Sequence, residues 1–89
     1  MYHYIYMIMS TKLGKTKTYV GYAINIKKRL NAHNKGKGAK STKGRYWKII
    51  YRKRFKSKGL ALKAEYKLKK NYTIRNKIKN KIASSIKIN

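Results

Sequence analysis

One segment at the start of the sequence constrains the fold most. Residues 2–9 read Tyr-His-Tyr-Ile-Tyr-Met-Ile-Met and are almost all apolar or aromatic at both odd and even positions. This pattern is typical of a strand that is covered on both faces of a sheet. A chain of 89 residues can bury one small core but not two. We therefore expect a single core in which this segment forms a central strand.

A hairpin is expected after this strand. A short connection containing glycine leads to a second strand over residues 17–22, which are rich in Thr, Tyr and Val. A turn centred near Lys12 and Leu13 would place Tyr6 opposite Tyr19 across the two strands.

Cap and periodicity signals place the remaining elements. Asn25 is a suitable N-cap for a helix in which Arg29 and His33 share one face. A loop without apolar periodicity, a third strand, a second helix and a basic amphipathic helix follow. The predicted ranges are 26–34 for the first helix, 35–45 for the loop, 47–55 for the strand, 57–71 for the second helix, and residue 73 onward for the last helix.

The charge of the chain indicates its partner. The chain has 26 Lys and Arg residues, a single acidic residue, Glu65, and a formal net charge of +25. AT-rich codons would explain the many lysines but not the scarcity of Asp and Glu. A polyanionic partner explains both, because it attracts Lys and Arg and repels carboxylates. We expect a nucleic acid, with an acidic membrane surface or an acidic protein as alternatives. The residues expected to contact phosphates are Lys27, Lys28, Lys35, Lys37, Lys40, Lys43 and Arg45.

A single carboxylate excludes several classes of site. Two-carboxylate glycosidases, aspartic dyads, EF-hands and all-protein two-metal clusters all need more acids than this chain has. The chain has no cysteine, which excludes disulfides, zinc ribbons and thiol nucleophiles. The longest apolar run is far too short to span a membrane, and no signal-peptide pattern precedes it. We expect an intracellular protein of the cytoplasm or nucleus, without a membrane partner or a small-molecule cofactor.

Five short motifs occur in a fixed order along the chain. They are Tyr4-Ile5-Tyr6, Tyr19-Val20-Gly21, Ile26-Lys27-Lys28-Arg29-Leu30-Asn31-Ala32-His33-Asn34-Lys35-Gly36, Gly38-Ala39-Lys40-Ser41-Thr42 followed by Trp47, and Ala61-Leu62-Lys63-Ala64-Glu65-Tyr66. Together they resemble the GIY-YIG nuclease family, and more particularly its small stand-alone members and the catalytic module of the endonucleases that cut branched DNA. The resemblance runs from Tyr2 to about Asn71, and Tyr4 stands where the family usually has Gly.

This resemblance implies an α+β fold, with a small antiparallel three-stranded sheet flanked by helices. It also implies a DNA endonuclease that hydrolyses phosphodiesters with one divalent cation, Mg²⁺ or Mn²⁺. Glu65 would bind the metal and Arg29 the phosphate, while Tyr6 and Tyr19 would position or deprotonate the attacking water. His33 would contact a phosphate or relay a proton. Which tyrosine activates water stays open at this point.

The resemblance also frames the choice of substrate and the competing functions. Branched or nicked DNA, recognised by structure rather than by base sequence, is the implied substrate. A non-catalytic nucleic-acid-binding module with the same fold is the main alternative, and Tyr4 is the residue that favours it. A basic structural protein that assembles through its tail is a third interpretation.

The tail after residue 71 carries an apolar seam on a basic helix. We expect residues 1–71 to form the nuclease domain and residues 72–89 to form the helix, packed on that domain. The alternative is that the seam meets a second copy, a partner helix or a lipid surface. Its isoleucines recur at a spacing of four: Ile74, Ile78, Ile82 and Ile86.

Overall fold

Three antiparallel strands form one sheet in the computed structural model, which describes residues 1–88 and the side chains of residues 1–82. The first strand lies between the other two, in the order β2-β1-β3. The predicted α+β class, with an antiparallel three-stranded sheet and a central first strand, is confirmed. The elements are β1 (His3–Lys12), β2 (Lys15–Ala23), α1 (Ile26–Asn34), β3 (Lys48–Phe55), α2 (Lys58–Lys70) and α3 (Tyr72–Ile88).

The register between β1 and β2 differs from the prediction by two residues. Tyr6 lies opposite Gly21, and Tyr19 lies opposite Ile8. The turn is formed by Leu13 and Gly14, with φ angles of 53° and 77°, as a two-residue hairpin of this twist requires. The predicted turn was centred one residue too early. Because the shift is an even number of residues, Tyr6 and Tyr19 still share a face of the sheet.

Both faces of β1 are covered, as its sequence predicted. On one face, Ile5 and Met7 pack with Val20 of β2 and with Ala61 and Leu68 of α2. The opposite face buries Tyr6 and Ile8, and it also carries the buried side chains that build the candidate site described below. The helix α2 therefore supplies the apolar core, and the other face is left for polar chemistry.

The helix α3 is anchored to the end of α2. The Asn71 side chain accepts a hydrogen bond from the backbone amide of Ile74, and Arg75 donates to the carbonyl oxygens of Leu68 and Lys69. These contacts satisfy backbone groups that helix ends leave unpaired. They fix the direction in which α3 leaves α2.

The middle of the isoleucine seam of α3 packs against the rest of the domain. Ile78 packs against the core cluster, and Ile82 is half-buried beside Ile49 and Ile50 of β3. Ile74 is 47% exposed, and the Ile86 side chain lies outside the described residues. Within residues 1–88, no helix is long and apolar enough to cross a membrane.

Candidate active site

The hydroxyl of Tyr6 begins a line of buried hydrogen bonds. Tyr6 is only 1% exposed, and its hydroxyl lies 2.7 Å from Nε2 of His33, in the last turn of α1. On the other side of the imidazole, Nδ1 lies 2.9 Å from Oγ1 of Thr42. Thr42 belongs to a short 3₁₀ turn, and its Oγ1 lies 2.9 Å from the carbonyl oxygen of Ala39. Side chains from a strand, a helix and a loop are thus joined by one series of hydrogen bonds.

The direction of each hydrogen bond follows from the acceptors. A carbonyl oxygen only accepts, so the Thr42 hydroxyl donates its single proton to Ala39. The Thr42 oxygen must then accept from Nδ1–H of His33, which leaves Nε2 unprotonated to accept from Tyr6. Burial lowers the pKa of His33 below its ordinary value of 6.5, and the nearby Arg29 lowers this pKa further. His33 is therefore neutral at pH 7.

Two glycines allow these rings to approach the backbone. A Cβ atom at Gly21 would collide with the Tyr6 hydroxyl, because the phenol lies across β2 at this point. In the same way, a Cβ atom at Gly38 would collide with Nδ1 of His33. The glycine that ends the Tyr-Val-Gly motif is thus required by the packing of the Tyr6 ring.

The other predicted catalytic residues surround this hydrogen-bond chain. The Tyr19 ring lies 5.1 Å from the His33 ring between centroids. Burial raises the pKa of Tyr6 above its ordinary value, the guanidinium of Arg29 opposes that shift, and charge at Tyr19 or Glu65 adds to it. The structure therefore brings Tyr6, Tyr19 and His33 into one cluster, with Arg29 and Glu65 near enough for their charges to act on the Tyr6 hydroxyl, while the roles of all five stay predictions.

Glu65, the predicted metal ligand, lies on α2 and is partly buried. Its side chain is 17% exposed and forms an ion pair with Lys69 that spans 3.7 Å between Nζ and Oε2. A pair this long leaves the carboxylate oxygens able to take another ligand. The described residues contain no group of three or more His, Cys, Asp or Glu side chains that could hold a metal. One carboxylate fits a hard cation such as Mg²⁺, which keeps several waters and binds substrate phosphates.

The predicted phosphate-binding residues divide into two groups. Arg45 is half-buried, and its guanidinium donates to the carbonyl oxygens of Ser10 and Lys15, so it ties the loop to the β1–β2 hairpin. The remaining residues of the set are lysines whose side chains are exposed, and these are available to contact phosphates: Lys27, Lys28, Lys35, Lys37, Lys40 and Lys43.

Sequence reasoning assigned no role to Thr42 or Gly38. Both lie in the loop between α1 and β3, where no periodicity indicates which side chains turn inward. The buried Trp47, whose indole nitrogen donates to the carbonyl oxygen of Thr42, holds this loop against the sheet. Their place in the motif Gly38-Ala39-Lys40-Ser41-Thr42, in the loop that follows the helical histidine, is the one signal that points to the contact.

An open groove of about 450 Å³ lies beside Arg29. Its lining includes the apolar side chains of Ala23 and Ile24, and Lys28 supplies a second cation. A phosphate bound by Arg29 would have room here for the adjoining nucleotide.

Taken together, the sheet, the two tyrosines on one of its faces and the nearby Arg29 and Glu65 are the features of a nuclease-type domain. The GIY-YIG catalytic domain model matches residues 2–81, and the chain belongs to this family. The match reaches into α3, beyond the range over which the motifs resemble the family.

The chain is similar in sequence to UPF0213 proteins of several bacteria. A UPF0213 protein of Staphylococcus saprophyticus is 44% identical over 68 residues, which are 75% of this chain and 79% of that protein. A UPF0213 protein of Bacillus licheniformis is 46% identical over 69 residues, or 76% and 68% of the two chains. The solution NMR structure of a UPF0213 protein from Bacillus halodurans is 34% identical, with a TM-score of 0.47, and the alignment covers 94% of this chain and 84% of that one.

Proposed function

We propose that this chain is a metal-dependent DNA endonuclease that hydrolyses phosphodiester bonds and selects DNA by its structure. The observation that carries this proposal is the 2.7 Å hydrogen bond from the Tyr6 hydroxyl to a neutral His33. A buried phenol that donates to an imidazole has its proton acceptor already in place. A buried tyrosine hydroxyl needs a hydrogen-bond partner in any case, but a histidine partner can also accept its proton.

The hydrogen-bond chain gives the attacking water a route for its proton. Water loses a proton to the Tyr6 oxygen while Tyr6 passes its own proton to Nε2 of His33. Burial raises the pKa of Tyr6, so a preformed phenolate is disfavoured and a relay suits the site better. Thr42 keeps the imidazole in the tautomer that can accept. Tyr6 is thus the proposed proton relay. Tyr19, whose ring lies beside the His33 ring, orients the water.

Arg29 and Glu65 handle the charge of the phosphate. Arg29 is exposed on α1 yet close enough to Tyr6 to lower the pKa of its hydroxyl, so a phosphate held by its guanidinium lies next to the proton acceptor. Glu65 would hold the divalent cation. A bound Mg²⁺ or Mn²⁺ supplies Lewis-acid stabilisation of charge on the phosphate and on the leaving oxygen.

The charge distribution supports DNA as the substrate. A net charge of +25 with a single carboxylate supports strong contact with a phosphate backbone, and such contacts carry no base sequence by themselves. In the sequence, the exposed lysines of α1 directly precede Arg29, and those of the following loop come after it. Recognition through phosphates favours selection by DNA shape.

The test is cleavage of matched substrates. Labelled linear, nicked, flap and four-way DNA is incubated with purified protein and Mg²⁺, Mn²⁺ or EDTA. We expect cleavage in either metal, faster on the nicked or branched forms, and none in EDTA. Tight binding of every substrate without cleavage in either metal would instead establish a non-catalytic binding module.

A further inference from the structure

Two exposed tyrosines flank a groove where α2 meets α3. Tyr66 is 62% exposed and Tyr72 is 68% exposed, and both line an open groove of about 570 Å³ together with Lys67 and Lys70. Exposed aromatic side chains that line one groove together are typical of a binding surface, whereas single exposed ones are common. Neither tyrosine belongs to the catalytic cluster.

Each of these rings has a cation beside its face. Nζ of Lys70 lies 5.2 Å from the centre of the Tyr66 ring, and the Arg75 guanidinium lies 5.9 Å from that of Tyr72. Arg75 is also fixed by its hydrogen bonds to the carbonyl oxygens of Leu68 and Lys69. The groove thus has aromatic ring faces next to positively charged side chains. Single-stranded nucleic acid is bound by this combination, through base stacking and backbone contacts.

A series of neighbouring cavities leads from the groove toward Tyr19. A cavity of about 270 Å³ is lined by Tyr19, Lys69 and Arg75. A smaller one of about 60 Å³ is lined by Arg75 and Tyr72, and Tyr72 in turn lines the tyrosine groove. Adjacent cavities thus share a lining residue from Tyr19 to Tyr66, and each is lined by at least one cation.

We propose that this track, from Tyr19 through Arg75 to Tyr72 and Tyr66, binds an unpaired strand of the DNA substrate, whose bases stack on the two tyrosines. Stacking needs bases that are not already stacked in a duplex, so the track selects DNA with a single-stranded segment beside the cleaved phosphate. This inference rests on the proposed endonuclease function for the position of that phosphate. The stacking itself does not depend on cleavage.

The test measures binding alone, in EDTA, so that it is separate from catalysis. The affinities of the wild type and of Tyr66→Ala with Tyr72→Ala are compared on a labelled oligothymidylate and on a duplex of the same length. We expect the double variant to bind the oligothymidylate on the order of 5- to 100-fold more weakly for each stacked base lost. Its duplex affinity and salt dependence should change little, because no charge is removed.

Matched controls separate stacking from other effects. Tyr66→Phe with Tyr72→Phe keeps both aromatic faces and should bind like the wild type. Tyr46→Ala removes a tyrosine that is 69% exposed outside the track and should leave both affinities unchanged. Thermal melts establish that every variant is folded.

Two results would overturn the inference. One is an unchanged affinity of the double alanine variant for the oligothymidylate. The other is an equal loss of affinity for the oligothymidylate and the duplex, which would mark a general phosphate contact. A protein that shows the selective loss but cleaves no DNA would contradict the proposed endonuclease function and leave the stacking track in place.

Discussion

The Tyr6 hydroxyl and Nε2 of His33, 2.7 Å apart, have pKa values that move in opposite directions. Burial raises the pKa of the phenol, and burial with the nearby Arg29 lowers the pKa of the imidazole. At neutral pH the pair is therefore a protonated tyrosine and a neutral histidine. Two titratable groups whose environments push their pKa values apart are typical of an acid–base pair.

The first prediction is the pH dependence of cleavage. His33 must be neutral to accept a proton, and its pKa lies below 6.5, so kcat/KM should stay high as the pH falls to 6.5 and decline only below it. His33→Gln should lower kcat by roughly 10² to 10⁴ and remove this decline. A single-turnover assay over the pH range measures both effects.

Thermal melts at each pH are the control for this profile. Because His33 has a lowered pKa in the folded state, the unfolded chain binds more protons in this range. The contribution of His33 to the stability of the fold is complete above pH 6.5, and it is lost as the pH falls through the folded-state pKa of His33. Rates are compared only where the protein is folded. An acid decline that is identical in His33→Gln would contradict the proposed proton acceptor.

The second prediction concerns the tautomer of His33. Thr42→Val keeps the side-chain shape but removes the oxygen that accepts from Nδ1–H. The unpaired buried donor should cost about 1–3 kcal/mol of stability, and kcat should fall because the imidazole is no longer held with Nε2 free. Thr42→Ser retains the hydroxyl and should keep most of the activity. Equal kcat values for the Val and Ser variants would show that the hydroxyl does not set the tautomer.

The third prediction tests the close approach at Gly21. Gly21→Ala places a methyl group against the Tyr6 hydroxyl, so the ring or the strand must shift and the bond to His33 must lengthen. We expect a loss of about 1–3 kcal/mol of stability and a lower kcat. Gly59→Ala, where a Cβ atom meets nothing within 4 Å, is the matched control and should not destabilise the protein. Chemical denaturation and cleavage assays measure the two variants side by side.

The sequence was sufficient for the elements that local chemistry determines. The apolar residues on both faces of β1 predicted its central position, and Asn25 does cap α1, where its side chain accepts from the backbone amide of Lys28. Tyr6 and Tyr19 were correctly placed on one face. The register was wrong because Leu13 adopts a φ of 53°, a conformation that side-chain-bearing residues rarely take.

Long-range contacts of the loop could not be predicted. Thr42 meets His33 only because the backbone at Gly38 passes close to the imidazole and Trp47 holds the loop. Neither effect leaves a periodic trace in the sequence. Arg45 is predicted to contact phosphate, and its guanidinium also donates to two backbone carbonyl oxygens, so the phosphate contact stays a prediction. Charge alone does not distinguish an arginine that binds DNA from one that binds its own chain.

The fourth prediction concerns the single carboxylate. Glu65→Gln keeps the size of the side chain but removes its charge, so it should abolish metal-dependent cleavage. DNA affinity should be equal or higher, because a charge that repels phosphates is lost. Binding assays in EDTA and cleavage assays in Mg²⁺ or Mn²⁺ give the two readouts. A Gln variant that cleaves at close to the wild-type rate would contradict a mechanism in which Glu65 binds the metal.

The fifth prediction concerns the seam of α3, where two isoleucines provide a matched pair. Ile78 packs against the core cluster, whereas Ile74 is 47% exposed. Ile78→Ala should therefore cost about 1–2 kcal/mol, since it is half-buried and full burial of an isoleucine contributes roughly 1.5–3 kcal/mol. In a domain of this size the melting temperature should fall by about 4–16 °C.

Ile74→Ala tests the alternative that the seam joins two chains. On the monomeric domain it should change stability by less than about 0.5 kcal/mol, because its side chain is largely in water. If a second copy covers Ile74, this variant should instead lower the mass measured by sedimentation, and the melting temperature of the wild type should depend on protein concentration. A fall in melting temperature for Ile78→Ala alone, at constant mass, would establish that α3 is packed on its own domain.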